Sequence, residues 1–206
     1  MKRLLHDNGL SIVLTLLFLV FWLAQAVTGH LVFNEESVRH GQPGLPFIAY
    51  LGSGHFWQAT AENWESEFLQ MGAYVVLTVF LFQRGSAESN DPDEKESLRE
   101  KRRASRHSWL HRNSLAIAFL ALFLGSFVLH AAGGLRAFND ERLEHGEPPA
   151  TLSEFLSDPE FWFQSFQNWQ SEFLAVLSIV VLSIFLRQNG SPESKDMEAP
   201  DSSTGS

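Results

Sequence analysis

The sequence predicts an all-α membrane protein with four transmembrane helices, arranged as two helical hairpins that enter the membrane in the same direction. Three observations predict this fold class. The apolar residues lie in four blocks separated by polar, acidic stretches, the second half of the sequence repeats the first, and Lys and Arg collect in one set of segments. The clustering decides the class, because a soluble domain spreads its apolar residues along the chain.

The first and third blocks are the clearest spans. Residues 10–27 contain no charged residue, and residues 115–135 contain His130 as their single ionisable group. About 20 residues of helix cross a hydrocarbon core of about 30 Å, so we predict helices over 8–40 and 113–145. A secretory signal peptide cleaved near Ala24-Gln25-Ala26 is the alternative for block one. The length of its apolar run and its recurrence in mid-chain favour an uncleaved helix.

The second and fourth blocks are shorter, because Glu67 and Arg84 bound one and Glu172 and Arg187 bound the other. Each block follows an aromatic, mostly uncharged segment, HFWQATAENW in the first half and FWFQSFQNWQS in the second. Tryptophan is enriched at membrane interfaces, so these segments predict helices that enter the membrane at its outer surface. The predicted spans are residues 55–84 and 159–188.

An ungapped internal repeat organises the chain. Residues 6–89 align with residues 111–194 at an offset of 105, and 34 of the 84 positions are identical. The repeat divides the chain into a first two-helix repeat over 1–84, a charged linker over 85–112, a second repeat over 113–188 and a tail over 189–206. The linker and the tail are polar and rich in Ser and Pro, which predicts disorder.

Charge predicts the orientation. The N-terminal segment, residues 83–113 and the chain from Arg187 onward hold 12 of the 15 Lys and Arg, whereas the segments that follow blocks one and three are acidic. Positive charge favours the cytoplasm, so both termini are predicted inside and the acidic loops outside. Because each repeat crosses twice, the repeats are parallel. The basic run Lys101-Arg102-Arg103 is expected to contact anionic lipid headgroups.

Several residues are predicted to begin and end the helices. Gly41 and Gly146, each followed by proline two positions later, are typical of left-handed C-terminal caps. The pairs Glu36/His40 and Glu141/His145 have i,i+4 spacing in the last turns, which favours stabilisation of the helix ends. A periplasmic metal or proton site is the alternative, but metal sites converge three or more ligands and no metal is predicted. N-terminal caps are predicted at Asn8, Asn113, Thr151 (with Glu154) and Asp158.

Six polar residues are predicted to share one level in the outer third of the membrane. Glu67 lies about 25 Å above Arg84 along its helix, and His130 lies about 27 Å from Arg112. Ionisable groups at such depth are costly and face the bundle interior. Either a hydrogen-bonded girdle joining helix ends or a path for protons or cations fits this layer. Its members are Gln25, Asn63, Glu67, His130, Asn168 and Glu172.

The motifs NWxSEFL, FNxE and HGxP, with the closing FQRGSAES and RQNGSPES, resemble an uncharacterised bacterial family of duplicated four-helix integral membrane proteins, a domain-of-unknown-function family. The resemblance covers all but the linker and the tail. It implies an inner-membrane location and brings no activity or catalytic residue. Repeat two has Gln in place of Glu65 and His130 in place of Gln25, so a symmetric site is only approximate.

Composition and motifs exclude several classes of function. The absence of cysteine excludes disulfides, Cys-ligated metals and thiol catalysis, and a net charge of −9 argues against a nucleic-acid partner. No phosphate-binding loop, GxSxG or HExxH motif is present, so neither a cofactor nor an enzymatic activity is expected. We expect a structural or interaction protein, with the lipid bilayer as its partner and an acidic periplasmic face for a protein that the sequence does not identify. The alternative is a small proton or cation channel or carrier, as a homodimer because four helices enclose little space.

Overall fold

The structure is a computed structural model that describes residues 2–93 and 106–205. The regular elements in these ranges are all helices, which confirms the all-α prediction. The long helices are α1 (Lys2–Arg39), α3 (Gly54–Phe80), α5 (Ser114–Glu144) and α7 (Pro159–Phe185). Three one-turn helices precede α3, α5 and α7: α2 (Phe47–Tyr50), α4 (Trp109–Arg112) and α6 (Leu152–Phe155).

Three of the long helices, not four, have the length and apolarity of a membrane span. They are α1, α5 and α7, over His6–Arg39, Ser114–Glu144 and Pro159–Phe185, and at most 17% of the most apolar stretch of each is buried in protein. Helix α3, the second predicted span, falls short because Glu62, Glu65 and Glu67 occupy its first half. The chain therefore has the character of a multi-pass membrane protein, with three candidate spans among the residues that the structure describes.

Corresponding elements in the two halves have corresponding bounds. Helices α2 and α3 begin at residues 47 and 54, and α6 and α7 begin 105 positions later, at 152 and 159. Helices α3 and α7 both contain 27 residues. The backbone is also alike at equivalent glycines, with φ of 75° at Gly41 and 76° at Gly146.

The predicted C-terminal caps are present. At the end of α1, the amide of Gly41 donates to the carbonyl of Val38 at 3.0 Å, and the amide of Gln42 donates to that of Ser37 at 2.8 Å. These two bonds and the left-handed glycine form a Schellman motif, which satisfies carbonyls that the helix leaves open. Gly146 and Glu147 make the equivalent bonds at the end of α5.

The predicted N-terminal caps of α6 and α7 are present, whereas the two asparagines differ from the prediction. Thr151 and Glu154 form a capping box on α6, and Asp158 caps α7 with Pro159 at its first position. Asn8, however, is a non-helical residue (φ −129°, ψ 18°) inside α1, and Asn113 (φ −113°, ψ 13°) ends α4 immediately before α5. Asn8 is thus a kink inside α1. Asn113 does stand immediately before α5, where its carbonyl accepts the amide of Ile117 at 2.9 Å, but its side chain donates back to the carbonyl of Trp109 at 2.8 Å.

The chain separates into two compact units, residues 1–59 with 132–150, and residues 60–131 with 151–206. The first unit has a core of Ala26, Tyr50 and Phe56 with further aromatic side chains around it. Two backbones approach closely in this unit. A Cβ added at Gly133 of α5 lies 2.7 Å from the amide nitrogen of Gln58, so only glycine fits there.

The asparagines of the two FNxE motifs act as clamps in the first unit. The side chain of Asn34 accepts a bond from the amide of Leu45 at 2.7 Å and donates to its carbonyl at 3.1 Å. Asn139 makes the same pair of bonds with Ala150, at 2.6 and 3.1 Å. Each clamp ties a long helix to the segment that leads into the next short helix.

In the second unit, the chain beyond α7 is folded against the loop that follows α3. Residues 189–205 form a succession of turns, and the side chain of Lys195 is 3% exposed. The sequence predicts a disordered tail because the segment has little apolar surface to bury, whereas in the structure backbone and side-chain hydrogen bonds hold it. The basic run Lys101-Arg102-Arg103, predicted to contact lipid headgroups, lies outside the described residues.

Candidate functional site

Among the described residues of the second unit, the most deeply buried ionisable groups belong to His130 on α5 and Glu65 on α3. Both side chains have no exposed surface. Nδ1 of His130 donates to Oε2 of Glu65 at 2.8 Å, and the indole nitrogen of Trp169 on α7 donates to Oε1 of the same carboxylate at 3.1 Å. Both carboxylate oxygens therefore have a donor, and one carboxylate joins three long helices.

The far side of the imidazole faces polar groups at longer range. Nε2 of His130 lies 3.5 Å from Oε1 of Gln164 and 3.9 Å from Oε2 of Glu62. The side chain of Glu62 is 22% exposed and hydrogen-bonds to Asn168. His130 is thus placed between a fully buried carboxylate and one that reaches the surface of the unit.

Aromatic rings enclose the histidine. Phe161, which has no exposed surface, stacks on His130 with ring centroids 4.8 Å apart and an interplanar angle of 27°. Phe127 and Phe155 pack edge-on against Phe161 at 5.7 and 5.2 Å. Such packing excludes water, and a hydrogen bond is stronger in a dry environment than in water.

This arrangement supports two kinds of chemistry. With the imidazole neutral and its proton on Nδ1, the cluster is a structural hydrogen-bonded network, which we call the buried clasp. Its two N–H donors, from His130 and Trp169, each bond to one oxygen of Glu65. With a second proton on Nε2, the imidazolium forms an ion pair with Glu65 and faces Gln164 and Glu62. A proton at Nε2 has to arrive on the Glu62 side, because Glu65 is bonded to Nδ1.

The structure places the six residues of the predicted polar layer differently from one another. His130 and Asn168 belong to the cluster in the second unit. Glu172 is half-buried and interacts electrostatically with Glu67, whose side chain is exposed, as is that of Asn63. Gln25 is half-buried in the first unit.

Glu65, and not Glu67, is therefore the carboxylate that faces His130. Two residues along a helix differ by about 200° in direction, so these two glutamates point to opposite sides of α3. The number of residues along a helix gives the depth of a side chain in the membrane but not the face of the helix on which it lies.

The predicted pairs at the helix ends are joined through the backbone. The amide of His40 donates to the carbonyl of Glu36 at 3.1 Å, and the amide of His145 donates to that of Glu141 at 3.2 Å. Nδ1 of His145 also lies 2.9 Å from the same Glu141 carbonyl. Backbone bonds of this spacing occur throughout every α-helix, so the stabilisation of the helix ends by these side-chain pairs stays a prediction. Among residues 2–93 and 106–205, no group of three or more His, Asp or Glu is arranged to hold a metal ion.

Sequence reasoning misses Glu62, Glu65, Gln164 and Trp169 as members of the cluster, although a signal for the central pair is present. Glu65 and His130 stand at two positions where the repeat loses its identity, opposite Gln170 and Gln25. A histidine present in one half only and a carboxylate present in the other half only suggest a pair that crosses between the halves.

Comparison with known proteins places the chain in a family without assigning it an activity. Searches of the curated proteins and of the solved structures each found no match. A family model described as a domain of unknown function, DUF6766, matches residues 1–206, so the chain belongs to that uncharacterised family.

Proposed function

We propose that this protein is an integral inner-membrane protein with four transmembrane helices in two parallel, duplicated hairpins and with both termini in the cytoplasm. The equal lengths of α3 and α7 and their spacing of 105 residues support the duplication. The placement of 12 of the 15 Lys and Arg in the N-terminal segment, in residues 83–113 and in the chain from Arg187 onward supports the orientation.

The burial of its polar side chains supports α3 as the fourth span. Thr60, Glu65 and Ser66 are at most 1% exposed, and Gln70 is 7% exposed. A polar group is tolerated at membrane depth when it faces protein and is hydrogen-bonded. Average hydropathy therefore underestimates the tendency of α3 to span the membrane, because it treats these buried polar side chains as if they faced lipid.

The role that the geometry favours is structural and non-enzymatic, with the acidic outer loops as a surface for a partner protein. The observation that carries it is the carboxylate of Glu65, whose two oxygens are both occupied by donors from neighbouring helices at full burial. Such a satisfied buried network fixes one arrangement of helices. Of the two interpretations of the polar layer, this favours the girdle.

A proton channel or carrier is the second candidate, and the partly exposed Glu62 favours it. Its carboxylate lies 3.9 Å from Nε2 of His130, so Glu62, His130 and Glu65 form a short series of titratable groups that begins at the surface of the unit. Transport through this series would need an exit beyond Glu65, and a homodimer is the form in which we expect one.

Proton flux into proteoliposomes tests the choice between these roles. We expect the wild type, Glu62→Gln and Glu65→Gln to acidify the lumen no faster than empty liposomes, while Glu65→Gln lowers the melting temperature. The matched control is Glu67→Gln, a neighbouring exposed carboxylate that should leave both readings unchanged. Wild-type flux that Glu62→Gln abolishes without a change in melting temperature would establish transport and contradict the structural role.

A further inference from the structure

Lys195 occupies an unusual environment for a lysine. Its ammonium nitrogen is within hydrogen-bonding distance of five backbone carbonyl oxygens, the closest being that of Gly85 at 2.6 Å. The others, at 3.1 to 3.4 Å, come from Ile184 in α7 and from three residues near the end of the described chain. We call these five oxygens the carbonyl cage: Gly85, Ile184, Pro200, Asp201 and Ser203.

The cage is assembled from three separate stretches of the second unit. Gly85 follows α3, Ile184 is in the last turn of α7, and residues 200–203 lie beyond the lysine itself. The stretch after α3 and the stretch beyond Lys195 also bond directly to each other. The amide of Gly85 donates to Oγ1 of Thr204 at 3.0 Å, and the amide of Gly205 donates to the carbonyl of Ser86 at 2.9 Å.

Nearby contacts hold the stretches in place. Nη2 of Arg187 donates to the carbonyl of Ala199 at 2.9 Å and to Oδ1 of Asp201 at 3.0 Å. Gly85 has φ of 87°, and a Cβ added there would lie 2.6 Å from the carbonyl oxygen of Asp201. Glycine is thus required both by the backbone conformation and by the close approach of the segment that carries the cage.

The chemistry of the cage matches a primary ammonium group. An ammonium is a compact charge with three rotatable donors, and several carbonyl oxygens arranged around it can share them. A guanidinium is planar and presents its donors in a fixed fork, which fits oxygens lying in one plane. Removing the ammonium leaves buried carbonyls without a donor, which is unfavourable.

We propose that the loop after α3, the end of α7 and residues 200–203 together form a carbonyl-lined binding site for a primary ammonium group, which Lys195 fills from within the same chain. In this way residues 190–205 act as a latch that fastens the ends of α3 and α7 to each other. Lys195 is the central residue of the latch, since its side chain bonds to all three stretches.

Hydrogen exchange of the full chain in nanodiscs, read by mass spectrometry on peptides around residues 83–90 and 198–205, tests the latch. In the wild type we expect both peptides to exchange about tenfold or more below the unstructured rate. Lys195→Met and Lys195→Arg should release both peptides together. Asp196→Asn, an exposed neighbour on the same segment, should leave both protected. Wild-type peptides that exchange at the unstructured rate would overturn the proposal, as would protection retained in Lys195→Met.

Chemical rescue tests the specificity of the site. In Lys195→Ala, we expect propylammonium ions to restore protection in both peptides, because they supply the missing three-donor group. Tetramethylammonium carries the same charge without an N–H and should restore none. Equal rescue by both ions, or rescue by neither, would overturn the assignment of a site for a primary ammonium.

Discussion

At the scale of single residues, Glu65 differs from Glu67 in direction and not in chemistry. Both are glutamates in the middle of α3, yet one is fully buried and the other exposed. The sequence predicts the deep position of His130 but not its partner, because depth along a helix follows from counting residues. The direction of a side chain depends on how the neighbouring helices pack, which a single sequence does not specify.

The pair of glutamates provides a matched stability experiment. Glu65→Ala removes the acceptor of both His130 and Trp169 and leaves two buried N–H groups without it, so it should lower the free energy of unfolding by about 3 kcal/mol. Glu67→Ala should change it by no more than about 0.5 kcal/mol, as is usual for an exposed site. Reversible unfolding in detergent, followed by circular dichroism, measures both. Equal losses in the two variants would show that the buried clasp is not a special source of stability.

At the scale of helices, the ends were predictable and the contacts between helices were not. Gly41, Thr151 and Asp158 make the caps that local sequence predicts, because a cap depends on residues a few positions apart. Asn8 is a kink instead, and the side chain of Asn113 bonds back to the carbonyl of Trp109, because helix also precedes both residues. Gly133 is an example of a contact that local sequence does not predict. Its neighbour Gln58 is distant in sequence, and no residue near Gly133 indicates that the two backbones come close together.

Two glycines of α5 allow the effect of a close backbone contact on stability to be distinguished from the effect of helix propensity. Gly133→Ala places a Cβ 2.7 Å from the amide nitrogen of Gln58 and should destabilise the protein by about 1–3 kcal/mol through overpacking. Gly125→Ala has open space around the new methyl group and should be stabilising by up to about 1 kcal/mol, because alanine is the better helix former. Thermal unfolding of both variants provides the comparison. A neutral Gly133→Ala would contradict the close backbone contact in the first unit.

At the scale of the whole molecule, the sequence predicts four spans and the structure presents three helices of sufficient apolarity. The difference lies in α3, whose acidic first half lowers its average hydropathy. The sequence also predicts a disordered tail, because its composition shows little apolar surface to bury. Composition cannot predict that one lysine of this segment lies within hydrogen-bonding distance of five carbonyl oxygens. In both segments polar residues satisfied by distant partners limit what composition can predict.

The number of crossings is the central claim, and cysteine labelling tests it most directly because the natural chain has no cysteine. Single substitutions Gln42→Cys, Asp93→Cys, Glu147→Cys and Asp196→Cys introduce thiols before α3, after α3, after α5 and after α7. With four spans, a membrane-impermeant maleimide applied from the periplasm labels Gln42→Cys and Glu147→Cys. Asp93→Cys and Asp196→Cys should react only after permeabilisation. Labelling of Asp93→Cys from the same side as Gln42→Cys would show that α3 does not cross and would contradict the duplicated hairpin.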